Sequence, residues 1–262
     1  MKVGFIGGGN MGGALIGGLT QKCCAPSDIA LYEKDVQKAA AFKEMGVNTV
    51  ESASAAEAAS EIIVFSVKPN IIDSVLSEMS GDKNKIYLSI AAGVTVAHLE
   101  EMLGADKKIV RAMPNTPAQV GCGMTVISPN KNVDDEDIKK VKMLLSAVGM
   151  VQQMDEKFMS VATALHGSSP AYVYMFIDAM ADAGVKYGLT KQQALTLAAQ
   201  AVAGSAEMVL SCGEHPEKLK DNVCSPGGTT IAAVCDLEKN GFRGIVQSAV
   251  CACVDKADEM SK

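Results

Sequence analysis

Ser225, Pro226, Gly227, Gly228, Thr229 and Thr230 run without a break into a helical stretch over 231–238, and their types suit the capture of a small anion. Pro226 stiffens the approach, and Gly227 and Gly228 leave the main chain open with no Cβ in the way. The helix that follows adds unpaired N–H groups at the positive end of its dipole, beside the hydroxyls of Ser225, Thr229 and Thr230. Taken alone, the same residues also describe an ordinary helix start with Thr229 or Thr230 as its cap. A second glycine turn in the chain shifts the balance toward a ligand.

That turn opens the sequence. Residues 2–6 (Lys-Val-Gly-Phe-Ile) read as a short buried strand, Gly7, Gly9 and Gly12 supply G-x-G-x-x-G, and Leu15, Ile16 and Leu19 continue at helical spacing. Strand, turn and helix in this order form the dinucleotide-binding fingerprint. Gly7 permits the tight turn, Gly9 admits the pyrophosphate to the backbone, and Gly12 lets the helix approach its strand, with Asn10 and Met11 supplying the helix start. A second strand over 29–33 ends in Glu33, about twenty residues on, where a carboxylate can hold the hydroxyls of the adenosine ribose. A 2′-phosphate there would meet like charge, partly offset by Lys34, so NADH is expected to serve at least as well as NADPH.

Other loops follow predicted strands, where ligands of open α/β sheets bind. Val67, Lys68 and Pro69 end one strand, and Lys68 at that edge is placed to meet ribose or phosphate oxygens. Residues 110–117 end another in a loop stiffened by Pro114 and Pro117. This loop either sets Asn115 and its backbone beside a nicotinamide ring or forms a rigid turn in which Arg111 is an ion-pair partner; the motif leaves both open. His166 and His215 read as residues of helix boundaries rather than as acids.

With 48% hydrophobic and 21% charged residues, the 262-residue chain has the composition of a soluble globular protein, with one large core or two modest ones. A net charge of −6 disfavours a nucleic-acid partner. The sequence is read as having no apolar run long enough and free enough of polar breaks to cross a bilayer and as entering its first strand with no leader, so a cytoplasmic enzyme with no membrane partner is expected. The eight cysteines contain no C-x-x-C and the three histidines are scattered, which predicts reduced thiols and no metal site.

Residues 1–154 alternate strands (3–6, 29–33, 62–67, 86–90, 109–112, 125–127, 150–153) with helices (36–45, 71–79, 96–103, 134–148), the pattern of a doubly wound, mainly parallel Rossmann sheet. From 155 to 262 strand-like runs vanish and helices follow one another. The stretch 194–210 is apolar nearly all round, so it must be buried on more than one side. A hundred helical residues cannot easily cover that surface, which predicts an all-helical domain that pairs with a second copy of itself.

Taken together, residues 5–12, 67–69, 91–95, 110–117, 167–172, 215–216 and 219–230 resemble the Δ1-pyrroline-5-carboxylate reductase family over the whole chain. The last block is highly specific to that family; the first is shared with many dehydrogenases. The resemblance implies NAD(P)H-dependent reduction of 1-pyrroline-5-carboxylate to L-proline, in an obligate homodimer that often assembles further. Onto this sequence it carries Ser225, Gly227, Gly228 and Thr229 as holders of the substrate carboxylate and Thr230 as the residue that bonds the imine nitrogen or relays a proton. Ala92 joins the cofactor contacts. His166 and Ser169 depart from the family's S-G-S-G-P-A-Y. A β-hydroxyacid dehydrogenase is the nearest enzymatic alternative, but that chemistry wants a lysine on the first long helix of the second domain, and none stands between Phe158 and Val185. A dinucleotide-binding redox sensor with no turnover is the alternative of another class.

Overall fold

The structure, a computed structural model, describes residues 1–260. It comprises two compact units, one of Met1–Gly167 together with the chain from Val254, the other of Ser168–Cys253.

The first unit is built on an eight-stranded sheet. β1 (Val3–Ile6), β2 (Ile29–Tyr32), β4 (Ile62–Phe65) and β5 (Ile86–Ser89) are short apolar runs, and β1, β4 and β5 are buried throughout, as strands with helices on both faces must be. With β3 (Asn48–Thr49), β6 (Lys108–Met113), β7 (Gly123–Pro129) and β8 (Gly149–Gln153) they lie in the order β3-β2-β1-β4-β5-β6-β7-β8. All neighbours are parallel except β6 and β7. That exception follows from a short 3-10 turn, Thr116–Val120, which leaves no room for a crossover helix.

One face is covered by α1 (Asn10–Lys22) and α6 (Asp135–Leu145), whose Leu15, Ile16, Leu19, Leu144 and Leu145 pack on Phe5, Val64 and Ile127. The other carries α3 (Ala53–Ala58), α4 (Ile72–Leu76) and α5 (Val96–Leu103), which set Ala56, Ile72, Leu76 and Leu99 against Ile6, Phe65 and Tyr87. α2 (Val36–Glu44) starts on Asp35, whose carboxylate accepts from the amides of Gln37 and Lys38. α7 (Met159–Ala162) brings Met159 and Ala162 onto Val126. The change of sequence texture after residue 154 therefore precedes the limit of compactness, because α7 still packs on the sheet.

In the second unit, α8 (Ser169–Lys186) and α9 (Lys191–Cys212) form an antiparallel hairpin closed on Ala181, Ala194 and Ala198. Thr190 and Gln193 make a capping box at the start of α9, and Lys191 reaches Asp178 and Asp182, at 2.6 Å each. α10 (Pro216–Asn222) and α11 (Thr229–Lys239) follow, and α12 (Phe242–Met260) starts in this unit and belongs to the first from Val254. Contrary to expectation, α9 is long and apolar enough to span a membrane by length and composition, with mean hydropathy 1.3. Its polar residues are too few and too spread out to lower the average. Within one chain most of its surface is bare, with Leu197 62% and Leu210 64% exposed.

Candidate active site

The chain leaves β1 at Gly7, whose φ of +101° suits glycine and where a Cβ would stand 2.9 Å from the Ser66 carbonyl oxygen. Gly12 lies so near the turn that a Cβ would sit 2.5 Å from the Gly7 carbonyl oxygen. Around Gly9, by contrast, no atom comes within 4 Å of that position. Gly9 caps α1 without a side-chain bond, so the amides of Asn10, Met11 and Gly12 have no partner inside the helix. Open main chain beside an uncapped helix start is what a pyrophosphate requires, and the residues present fit a dinucleotide.

A cavity of about 280 Å³ adjoins this turn, lined by Gly7, Gly9, Glu33, Lys34, Val67 and Lys68 together with Tyr32 and Ser66. The Glu33 carboxylate is fixed there: one oxygen accepts from the Gly8 amide at 2.6 Å, the other from the Asp35 amide at 2.9 Å. Each oxygen keeps a further lone pair for a ribose hydroxyl. Lys34 and Lys68 are exposed at the rim, and Pro69 opens the 3-10 turn Pro69–Ile71 behind Lys68. Ser66 and Tyr32 were not anticipated from sequence. The Ser66 hydroxyl lies 2.5 Å from the Gly7 carbonyl oxygen and 3.1 Å from that of Ile6, so it donates into the turn itself. Its signal was a small hydroxyl residue at the carboxyl end of a strand adjoining β1.

At the ends of β5 and β6, Ala92 and Gly93 share a small cavity with Arg111, Met113 and Thr163. Arg111, 8% exposed, donates from Nη1 to Glu156 Oε1 at 2.9 Å, and the same oxygen accepts from the Val96 amide at 2.8 Å. Arg111 is thus the ion-pair partner of one sequence reading, and it ties β6 to the start of α5. Asn115 is equally buried: Nδ2 donates to the His166 carbonyl at 3.0 Å and Oδ1 accepts from the Met124 amide at 2.8 Å. With both ends of its side chain engaged, Asn115 offers a cofactor the course of the backbone it fixes.

The other glycine turn lies in the second unit. Pro226 and Gly227 take the central positions of a tight turn closed by the Gly228 amide on the Ser225 carbonyl at 3.0 Å, and Gly227 has φ +68°. Gly228, not a threonine, is the N-cap of α11, and no side chain caps it. The amides of Thr229, Thr230 and Ile231 are therefore left without partners in the helix, with the Ser225 hydroxyl crowding the face of Gly228 that a Cβ would occupy. Ser225, Gly227 and Thr229 are exposed, Gly228 and Thr230 half-buried. In the same unit the Tyr172 hydroxyl is pushed above its ordinary range, first by its hydrogen bond with Cys253 and then by burial.

Residues 156–260 match the family described as pyrroline-5-carboxylate reductase dimerisation, and residues 2–93 match that described as NADP oxidoreductase coenzyme F420-dependent. Over 265 positions the chain is 48% identical to the pyrroline-5-carboxylate reductase of Escherichia coli strain K12, covering 100% of this chain and 98% of that protein. The chain belongs to the pyrroline-5-carboxylate reductase family. A solved reductase from Coxiella burnetii superposes with a TM-score of 0.95 at 35% identity, covering 100% of this chain and 98% of that one. The reductase of Plasmodium falciparum, solved with NADP bound, gives 0.87 at 38% identity with the same coverage. With membership come the Rossmann domain, the helical dimerisation domain and NAD(P)H-dependent oxidoreductase chemistry that the sequence predicts.

Proposed function

We propose that this member of the pyrroline-5-carboxylate reductase family reduces the C=N bond of 1-pyrroline-5-carboxylate to give L-proline, with the substrate carboxylate held by the turn at residues 225–230. The observation that carries the placement is the uncapped start of α11, where three amides without helical partners stand beside the hydroxyls of Ser225, Thr229 and Thr230. A single carboxylate matches that donor set in charge and size.

Gly7, Gly9, Asn10, Met11, Gly12, Glu33, Lys34, Val67, Lys68, Pro69, Ala92 and Asn115 would hold the dinucleotide, which when bound would supply a hydride to the imine carbon. As that bond forms, the C=N π pair passes to nitrogen, which already carries a proton when the imine enters as its conjugate acid. The protein therefore has to orient rather than to acidify. Thr230 places its hydroxyl to bond that nitrogen; it is catalytic in the sense of positioning, being too weak an acid to act alone. Glu33 sets the cofactor preference, making NADH at least as good as NADPH. The working form is an obligate cytoplasmic homodimer, because α9 has no polar face to offer water. Purified protein mixed with NADH or NADPH should lose the nicotinamide absorbance when pyrroline-5-carboxylate is added; binding of dinucleotide without oxidation would leave a sensor as the better reading.

A further inference from the structure

His166 stands at the close of a π-helical turn, Thr163–Gly167, a widened turn of the kind that recurs at functional sites. Its ring lies between two main-chain oxygens: Nδ1 is 2.5 Å from the Ala162 carbonyl and Nε2 is 2.7 Å from the Met113 carbonyl. A carbonyl only accepts, so each contact needs an N–H, and a neutral imidazole has one. Whichever nitrogen donates, the ring is seated between the two carbonyls. The main chain of the same residue accepts from Asn115 Nδ2 at 3.0 Å, so His166 grips the end of β6 twice. The serine that the resembled family carries here has one short hydroxyl and cannot reach both carbonyls.

We propose that His166 is a positioning residue for the reduction, its ring seated between the Ala162 and Met113 carbonyls and thereby holding Met113, Pro114 and Asn115 in the course that sets the nicotinamide end of the cofactor. The inference rests on the functional reading above. The elements around the ring leave it to those carbonyls: α7, β7 and the 3-10 turn Thr116–Val120 have no charged residue, and on β6 Arg111 is paired with Glu156 and Lys108 with Asp137. Lys157 is paired with Asp155, and Asp255, Lys256, Asp258 and Glu259 near the end of α12 are exposed.

His166→Ser should lower kcat roughly tenfold while dinucleotide Kd and Tm change little, and His166→Gln, whose side-chain amide can still donate to a carbonyl, should recover part of the loss. A His166→Ser protein with normal kcat overturns the proposal, as does one that only unfolds more readily. Since the chain has three histidines, ¹⁵N-histidine NMR of the wild type gives an independent reading. A hydrogen-bonded ring N–H signal from His166, protected from exchange with water, is expected, and its absence overturns the clamp. Absence of any turnover in wild type would instead strike the functional reading, while the NMR result still judged the clamp.

Discussion

Removing the hydroxyl of Thr230 takes away one bond that the reaction is expected to need, without touching the dinucleotide turn in the other unit. Thr230→Ala should lose on the order of 2 kcal/mol of transition-state stabilisation, about 30-fold in kcat, with cofactor affinity preserved, and Thr230→Ser should recover much of it. Steady-state rates for the three proteins decide the matter, and an alanine variant with wild-type kcat and kcat/KM removes Thr230 from the mechanism. Glu33 carries a second expectation. Its carboxylate is already anchored by the Gly8 and Asp35 amides, so a ribose meets a fixed acceptor rather than a mobile one. Glu33→Ser should move the ratio of kcat/KM for NADH over NADPH about tenfold toward NADPH; a ratio that stays put excludes Glu33 as the selector. Both glycine turns were legible in sequence because their backbones demand glycine or proline at fixed offsets. The anchoring of Glu33 by Gly8, the Ser66 hydroxyl in the turn and the two carbonyls around His166 were not, because each joins residues distant in the chain or turns on ring orientation.

Between the elements, an ionic contact with a buried carboxylate lies where β6 begins and α6 starts. Asp137, 4% exposed, accepts from Lys108 Nζ at 2.5 Å and also completes the capping box with Asp134. The hydrogen bond to Asp137 holds the Lys108 ammonium above its ordinary range, outweighing desolvation, which acts in the opposite sense. A lysine raised on folding contributes stability that is fully present below its unfolded value of about 10.4 and is lost as the pH climbs through the higher folded one. Asp137→Asn should lower unfolding free energy at neutral pH by about 2 kcal/mol, less than a fully buried pair because Lys108 is partly solvated, and should flatten the decline above about pH 10. Urea titrations at neutral and alkaline pH test both parts; an unaltered alkaline decline would mean another group produces it. The main strands were readable as apolar runs because helices cover both faces of this sheet. β3, with two residues, and α3, with six, lay below the length at which periodicity carries a signal; α3 is placed by the packing of Ala53 and Ala56 on the sheet and β3 by its pairing with β2.

On the scale of the molecule, the unresolved question posed by the sequence was what covers residues 194–210, and one chain leaves most of α9 open. Pairing of two copies through such a face makes it the most vulnerable surface to charge. Leu197→Glu should shift sedimentation from dimer or larger species toward monomer or aggregate and abolish activity; a variant that sediments and reduces substrate as the wild type does would place the interface elsewhere. That this part of the chain is helical was legible from spacing, whereas the pairing of α8 with α9 and the side of α9 open to a partner were not, since a helix apolar all round has no direction to read. If another copy covers this apolar helix of about 33 Å, concentration becomes a determinant of folding. When two chains fold and pair in one step, each tenfold dilution removes about 1.4 kcal/mol from the apparent stability of the pair. The melting temperature of this protein then belongs to a solution of stated strength rather than to the molecule, and it should climb steadily as the protein is concentrated.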